Sequence, residues 1–225
     1  VDDYRLSLFK NADFSRFFYH RAHLFYFDKR SLSLVITKAG FSKINIRNIT
    51  SVIGILKLLY PFALIYGLIT WVRNKLFDWG FLKQTEFEVP ILSIGNLSMG
   101  GTGKTPHIEY FISKYKATHK IAVVSRGYGR KTKGFRYVSS NDFSENVGDE
   151  PLQIKKKFDE IIVAVGENRV KAIQLVLKEN HDVNLILLDD AFQHRYVKRS
   201  LNILLTEYSN PFWTDLMVPA GRLRE

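Results

Sequence analysis

From residue 87 onward, short apolar runs alternate with segments whose apolar residues recur at helical spacing. The runs "VPILSIG" (89–95), "KIAVVSRG" (120–127), "IIVAVG" (161–166), "VNLILLDD" (183–190) and "LNILLT" (201–206) predict strands, and residues 106–115 and 170–178 predict helices. Several runs are apolar at nearly every position instead of every second one. That pattern predicts a mostly parallel sheet flanked by helices on both faces, an α/β architecture.

A different pattern fills residues 51–80, "SVIGILKLLYPFALIYGLITWVRNKLFDWG". No charge interrupts it between Leu58 and Val72, with Lys57 before and Arg73 and Lys75 after. Such a stretch falls short of the ~18–20 residues that secure a membrane-spanning helix, and Pro61 and Gly67 lie inside it. Tyr60, Tyr66, Trp71 and Trp79 are amphipathic aromatics suited to headgroup depth, and the flanking cations suit anionic lipid. Three readings stay open: a helix buried on the following domain, an interfacial membrane helix, and a spanning one. The interfacial helix is the expectation. Residues 1–50 are aromatic and basic; Ser31 is expected to cap a helix through Lys38, with Gly40 ending it and residues 41–49 forming a short strand.

Composition narrows the chemistry. The 225 residues include 46% hydrophobic and 24% charged side chains, an ordinary globular balance. The absence of cysteine excludes disulfide scaffolding, thiolate metal sites and thiol catalysis. A formal charge of +11 favours polyanionic partners without choosing among nucleic acid, anionic lipid and phosphorylated small molecules. Neither Val1 nor Glu225 reads as a natural boundary, so a fragment is expected, and no secretory leader is recognisable at its start.

The strand at 89–95 runs into "SIGNLSMGGTGKT". Read as a phosphate loop, its span is Ser98, Met99, Gly100, Gly101, Thr102, Gly103, Lys104 and Thr105, with Ser98 where the first glycine normally stands and a glycine three residues earlier, at Gly95. Gly100, Gly101 and Gly103 let backbone amides turn toward phosphate, and a helix beginning near Lys104 adds its positive end. Lys104 is expected at the β- and γ-phosphates and the Thr105 hydroxyl on Mg²⁺. "LILLDD" puts Asp189 and Asp190 at the C-terminal end of a buried strand, where one of them is expected to hold Mg²⁺.

Other polar groups follow strands. "VVSRGYGRKTKG" places Ser125, Arg126, Tyr128, Arg130, Lys131 and Lys133 at a strand mouth, suited to gripping anions. "GDEP" sets Asp149 at the start of a predicted helix, where aspartate commonly serves as a cap. In "DDAFQHR", His194 suits either orientation of a phosphate or substrate, or a structural role.

Together, "YPFALIYGLITWVRNKLFDWG", "VPILSIGNLSMGGTGKTP", "VVSRGYGRKTKG", "GDEP", "VAVGENR", "LILLDDAFQHR" and "VPAGRLRE" resemble the tetraacyldisaccharide 4′-kinases over residues 54–225. The resemblance implies a P-loop kinase core at 87–225 preceded by a membrane-associating helix at 51–80. It implies ATP and Mg²⁺ as cofactors, and transfer of the γ-phosphate to the 4′-hydroxyl of an acylated glucosamine disaccharide 1-phosphate. The catalytic aspartate of that family falls on Asp149, its acidic pair on Asp189 and Asp190, and its histidine on His194. The place implied is the cytoplasmic face of the bacterial inner membrane, peripheral or monotopic, on an anionic surface, with no nucleic acid and no obligate protein partner. The family has a further C-terminal α/β portion that is absent from this sequence, so inactivity of the chain alone is expected. Residues 1–50 are extra; "AHLFYFDKRSLSLVITKAGF" resembles the closing segment of class I SAM-dependent methyltransferases, but no glycine-rich SAM loop accompanies it and no methyltransferase activity is expected.

The nearest rival is a MinD/ParA-like regulatory ATPase, whose signature lysine before the paired glycines is Met99 here. A membrane scaffold with a degenerate nucleotide site and a basic nucleic-acid module are further readings, the last without a recognisable motif.

Overall fold

A computed structural model describes residues 47–207 and 211–225. The helix expected at 31–38 and the methyltransferase-like phrase lie outside the described residues. Of the strand expected at 41–49, residues 47–49 instead open helix α1, Arg47–Asp78. The reason is continuity: these residues run straight into the apolar stretch, where intrachain helical hydrogen bonds satisfy the backbone without a partner strand. The chain divides into two compact units, residues 1–61 and 62–225.

The second unit is built on a six-stranded sheet. In chain order its elements are β1 (Ile91–Asn96), α2 (Lys104–Tyr115), β2 (Ile121–Ser125), β3 (Arg136–Tyr137), α3 (Ser144–Val147), α4 (Asp149–Lys157), β4 (Ile162–Val165), α5 (Arg169–Glu179), β5 (Leu185–Asp189) and β6 (Leu201–Leu205). Strand order is β3-β4-β2-β5-β1-β6, with β3 antiparallel to β4 and every other pairing parallel. Every strand and helix expected between residues 87 and 206 is present, with ends shifted by a few residues. The two-residue β3 and the four-residue α3 are additions.

The continuous apolar runs are explained by two cores, one on each face. Val123, Val163 and Leu187 face α2, α3 and α4, packing with Ile108, Ile112, Val147 and Ile154. Their strand neighbours Val124, Ala164 and Leu188 point the other way, onto Ala172, Ile173 and Val176 of α5. Alternation is intact, but both faces are buried. Each fully buried Ile or Leu contributes about 1.5–3 kcal/mol. The sheet therefore holds the C-terminal ends of β1, β2, β4 and β5 in fixed register, and the loops leaving them share one edge.

Within the second unit, α1 has an inverted pattern. Ala63, Thr70 and Phe77 are buried, and Tyr66, Gly67, Arg73 and Asn74 are part-buried between them, at helical spacing. The opposite face carries Phe62, Leu64, Ile65, Leu68, Ile69 and Trp71, all at least 55% exposed. An ordinary surface helix does the reverse, burying its apolar stripe. The helix thus packs on the following domain through the stripe of Ala63, Thr70 and Phe77, while its large apolar residues face outward. Among the described residues no helix is long and apolar enough to cross a membrane.

Candidate active site

Strands β1 and β5 are neighbours, with Ile94 in register with Asp189, so the glycine-rich loop and the paired aspartates emerge side by side. Gly100 (φ 130°) and Gly103 (φ 79°) turn the loop through backbone angles that L-residues rarely adopt. Gly103 then caps α2, which places Lys104 in its first turn. The Lys104 side chain is 10% exposed and its Nζ lies 3.8 Å from Asp190 Oδ1. Gly95, three residues ahead of the loop, is needed for close packing, since a Cβ there would lie 2.8 Å from Phe192 Cβ. It lets β1 pass close under the turn after the aspartates.

Two of the expected loop residues are engaged elsewhere. Met99 N–H donates to Arg222 O at 2.8 Å, Ser98 bridges Leu223, and Arg224 N–H donates to Leu97 O at 2.8 Å. The segment "RLR" thus lies against the start of the loop, and the Met99 amide is not available to a phosphate.

The aspartates differ sharply. Asp189 is fully buried; its Oδ2 accepts from Ser125 Oγ at 3.1 Å and its Oδ1 has no partner among the described residues. Burial, followed by the nearby Glu150 carboxylate, pushes the Asp189 carboxyl up to about 7. Asp190 has φ 45°, a strained angle for a non-glycine residue, and is gripped by Arg224 through Nη2 at 3.0 Å and Nη1 at 3.3 Å. Among the described residues no cluster of three or more His, Asp or Glu forms a dedicated metal cage. The donor set still fits Mg²⁺, a hard cation that takes one or two carboxylates, water and phosphate oxygens. The orphaned Asp189 oxygen is the observation that supports that fit.

Two functional contacts are absent from the motif reading. Asn96, fully buried at the end of β1, donates from Nδ2 to Thr102 Oγ1 at 2.9 Å and Gly100 O at 3.3 Å, bracing the loop from below. Arg224 reaches Asn96 O and Oδ1 as well as Asp190. The sequence signal for Asn96 is an amide side chain ending a mostly apolar strand. Arg169 of "GENR" is also buried, donating to Gly166 O at 2.8 Å and Glu167 O at 3.1 Å; burial lowers it to about 10, so it stays cationic.

"GDEP" meets the loop after β2. A Cβ on Gly148 (φ 92°) would stand 3.0 Å from Gly127 Cα and 3.0 Å from Tyr128 O, so only paired glycines allow this approach. The contact fixes Asp149 as the first residue of α4. Gly148, not Asp149, is the cap residue, and among the described residues the exposed Asp149 carboxylate makes no hydrogen bond or ion pair. Its capping role is thereby removed, and its acceptor oxygens are free.

The basic loop needs a correction. Arg130 is turned inward, its side chain 3% exposed, donating to Glu167 Oε1 and Gly134 O at 2.6 Å each. It folds the loop and does not grip an external anion. Lys131 pairs with Glu145 at 2.5 Å yet stays exposed, as do Arg126, Tyr128 and Lys133.

His194 sits in the turn after the aspartates, with Nε2 buried and unpartnered among the described residues. Burial, and then the positive charge of Arg169, lower it to about 4, so the ring is neutral near pH 7. Because its folded value lies below its unfolded one, the stability it permits is full above about pH 6.5 and is lost as pH falls toward 4. Asp189 contributes with the opposite sign over an overlapping range, so a comparison isolates the histidine. We expect the melting temperature of His194→Gln, relative to wild type, to rise steadily as pH falls from 6.5 to 4; a constant difference contradicts the assigned shift.

Comparisons with known proteins agree with one another. A family profile described as LpxK, tetraacyldisaccharide-1-P 4′-kinase, matches residues 55–225. A tetraacyldisaccharide 4′-kinase of Bacteroides fragilis is 54% identical over 175 residues, which is 77% of this chain and 46% of that protein. The one from Flavobacterium johnsoniae is 50% identical over 169 residues, 75% of this chain and 50% of that protein. The chain spans about half the length of the curated relatives it matches. A crystal structure of LpxK from Aquifex aeolicus, described as an "apo" form in complex with ATP, superposes with TM-score 0.69 at 39% identity, covering 76% of this chain and 54% of that one.

Proposed function

Because the chain belongs to the tetraacyldisaccharide-1-P 4′-kinase family, we propose that it acts in transferring the γ-phosphate of ATP to the 4′-hydroxyl of a tetraacylated glucosamine disaccharide 1-phosphate. The observation that carries this reading is the pairing of Lys104 with Asp190 across adjacent strand ends, on the same sheet edge as an unengaged carboxylate, Asp149. Lys104 and the amides of Gly100–Gly103 hold the phosphates; Asp149 accepts the proton of the attacking hydroxyl, which is a poor nucleophile until it is relieved of it. Asp189, Asp190 and the Thr105 hydroxyl are the residues that would hold Mg²⁺. Bound with ATP, Mg²⁺ neutralises charge on the transferring group. Neutral His194 orients the acceptor or a phosphate oxygen without adding charge.

In this reading, residues 87–225 form the kinase core, and 51–80 the element that meets a lipid acceptor at the cytoplasmic face of the inner membrane. The exposed apolar face of α1 supports it, since an acyl-chain-bearing acceptor is presented at a bilayer. Ile65→Glu combined with Leu68→Glu is expected to weaken binding to anionic vesicles by at least about 10-fold, with nucleotide affinity unchanged. Undiminished vesicle binding contradicts the membrane role. No nucleic acid and no obligate protein partner enter this scheme.

Two observations set the kinase above a regulatory ATPase. Met99 replaces the lysine that such ATPases use, and the Met99 amide is tied to Arg222. The test is label transfer from γ-labelled ATP by the full-length protein to the acylated disaccharide 1-phosphate in detergent micelles. Transfer to some other acceptor only would overturn the proposal.

A further inference from the structure

The inward stripe of α1 does more than anchor a helix. Tyr66 Oη donates to Arg224 O at 3.0 Å, and Arg73 Nη2 donates to Gln193 O at 2.9 Å and to Glu225 Oε1 at 2.5 Å. Both acceptor segments lead directly to the phosphate loop. The Gln193 side chain donates to Asn96 O at 2.9 Å, and Asn96 braces Gly100 and Thr102. Arg224 holds Asp190, the partner of Lys104. The Glu225 side chain in this network is only 6% exposed, whereas the Arg73 side chain is 38% exposed, so the carboxylate end of the pair is the shielded one.

We propose that Tyr66 and Arg73 are positioning residues for the nucleotide site: through them, the helix whose outer face is apolar sets the placement of Arg224 and of the Gln193 turn against the phosphate loop. The inference rests on the nucleotide-site reading above, but not on the identity of the acceptor. Neither side chain touches the loop itself. Each orients a second group, Gln193 or Arg224, that reaches Asn96, and Asn96 in turn braces Gly100 and Thr102; small displacements at such a remove are costly because phosphoryl transfer depends on alignment. The geometry of the pair also explains the inverted pattern of α1. Its polar residues face inward because their hydrogen-bond acceptors are there, which leaves the apolar residues facing out.

Arg73 makes both contacts from one nitrogen, Nη2, whose two N–H bonds point in fixed directions in the guanidinium plane; a lysine keeps the charge but not that reach and fixed geometry. The experiment uses the full-length protein and measures MgATP affinity by equilibrium titration, together with kcat and KM for label transfer, at a temperature where every variant is folded. Arg73→Met is expected to weaken MgATP binding or lower kcat by roughly 10-fold, Arg73→Lys to recover part of that loss, and Tyr66→Phe to show a smaller loss in the same direction. KM for the acceptor and vesicle binding stay unchanged. A helix that merely stabilises the fold predicts lower melting temperatures with MgATP affinity and kcat intact in the folded protein, and that result overturns the proposal. Should Arg73→Met fail to fold, Tyr66→Phe decides, since it removes a single hydroxyl. Should wild type transfer no label to the disaccharide, the kinase reading fails while MgATP affinity still tests the positioning role.

Discussion

Asp149→Asn lowers turnover of the full-length protein by about 10²–10⁴-fold while MgATP affinity stays at the wild-type value. The two halves of that expectation come from different parts of the structure. Asparagine keeps the size and the helix-start position of Asp149, so the Gly127–Gly148 contact and the course of α4 are undisturbed. What it lacks is an oxygen able to take a proton. Among the described residues the carboxylate makes no hydrogen bond or ion pair of its own, so its removal breaks no internal network and a large loss of rate is attributable to chemistry. Single-turnover measurement with bound ATP and saturating acceptor separates the chemical step from binding. Unchanged turnover removes Asp149 as the base and points instead to Glu150, the neighbour whose charge Asp189 feels.

Lys104→Met produces a different signature. Its ammonium is nearly buried and lies 3.8 Å from Asp190, so it is fixed before the nucleotide arrives. A cation held in that way stabilises charge on the transferring group without reorganising, and losing one such contact costs about 10²–10³-fold in kcat. Unlike Asp149→Asn, this variant also weakens MgATP binding, because the same cation contacts ground-state phosphates. Arg224 remains on Asp190 and keeps the aspartate in place, so the fold survives the change. Arginine at 104 is a poor replacement, because its planar fork directs its donors differently from a compact ammonium. Wild-type kcat in Lys104→Met would exclude the loop from phosphoryl transfer.

The core of this architecture is legible in the sequence because its signals are local. A strand such as Leu185–Asp189 declares itself in five consecutive apolar or terminal acidic positions, and Gly103-Lys104-Thr105 announces a turn into a helix. The two-residue strand Arg136–Tyr137 is not legible, since no periodicity exists at that length and pairing with β4 alone defines it. The same distinction divides the site. Lys104, Asp189 and Asp190 belong to motifs, but Arg224 reaches Asn96 across 128 positions of sequence, and no local pattern ties the two together. Arg130 shows the converse error. Composition makes it one of several loop cations, whereas the fold supplies Glu167 and turns the guanidinium inward. The apolar character of helix α1 is plain from its residues, yet which side faces outward depends on distant acceptors at Gln193 and Arg224.

The proposed function requires that the nucleotide site move phosphate onto a sugar hydroxyl and not simply hydrolyse ATP. The most direct measurement is phosphorus NMR of the product formed by full-length protein from MgATP and the acylated disaccharide 1-phosphate in micelles. A new phosphate monoester on the 4′-oxygen, formed in step with ADP and only when acceptor is present, is the predicted result. Release of inorganic phosphate at a rate indifferent to acceptor, with the disaccharide recovered unchanged, would contradict it.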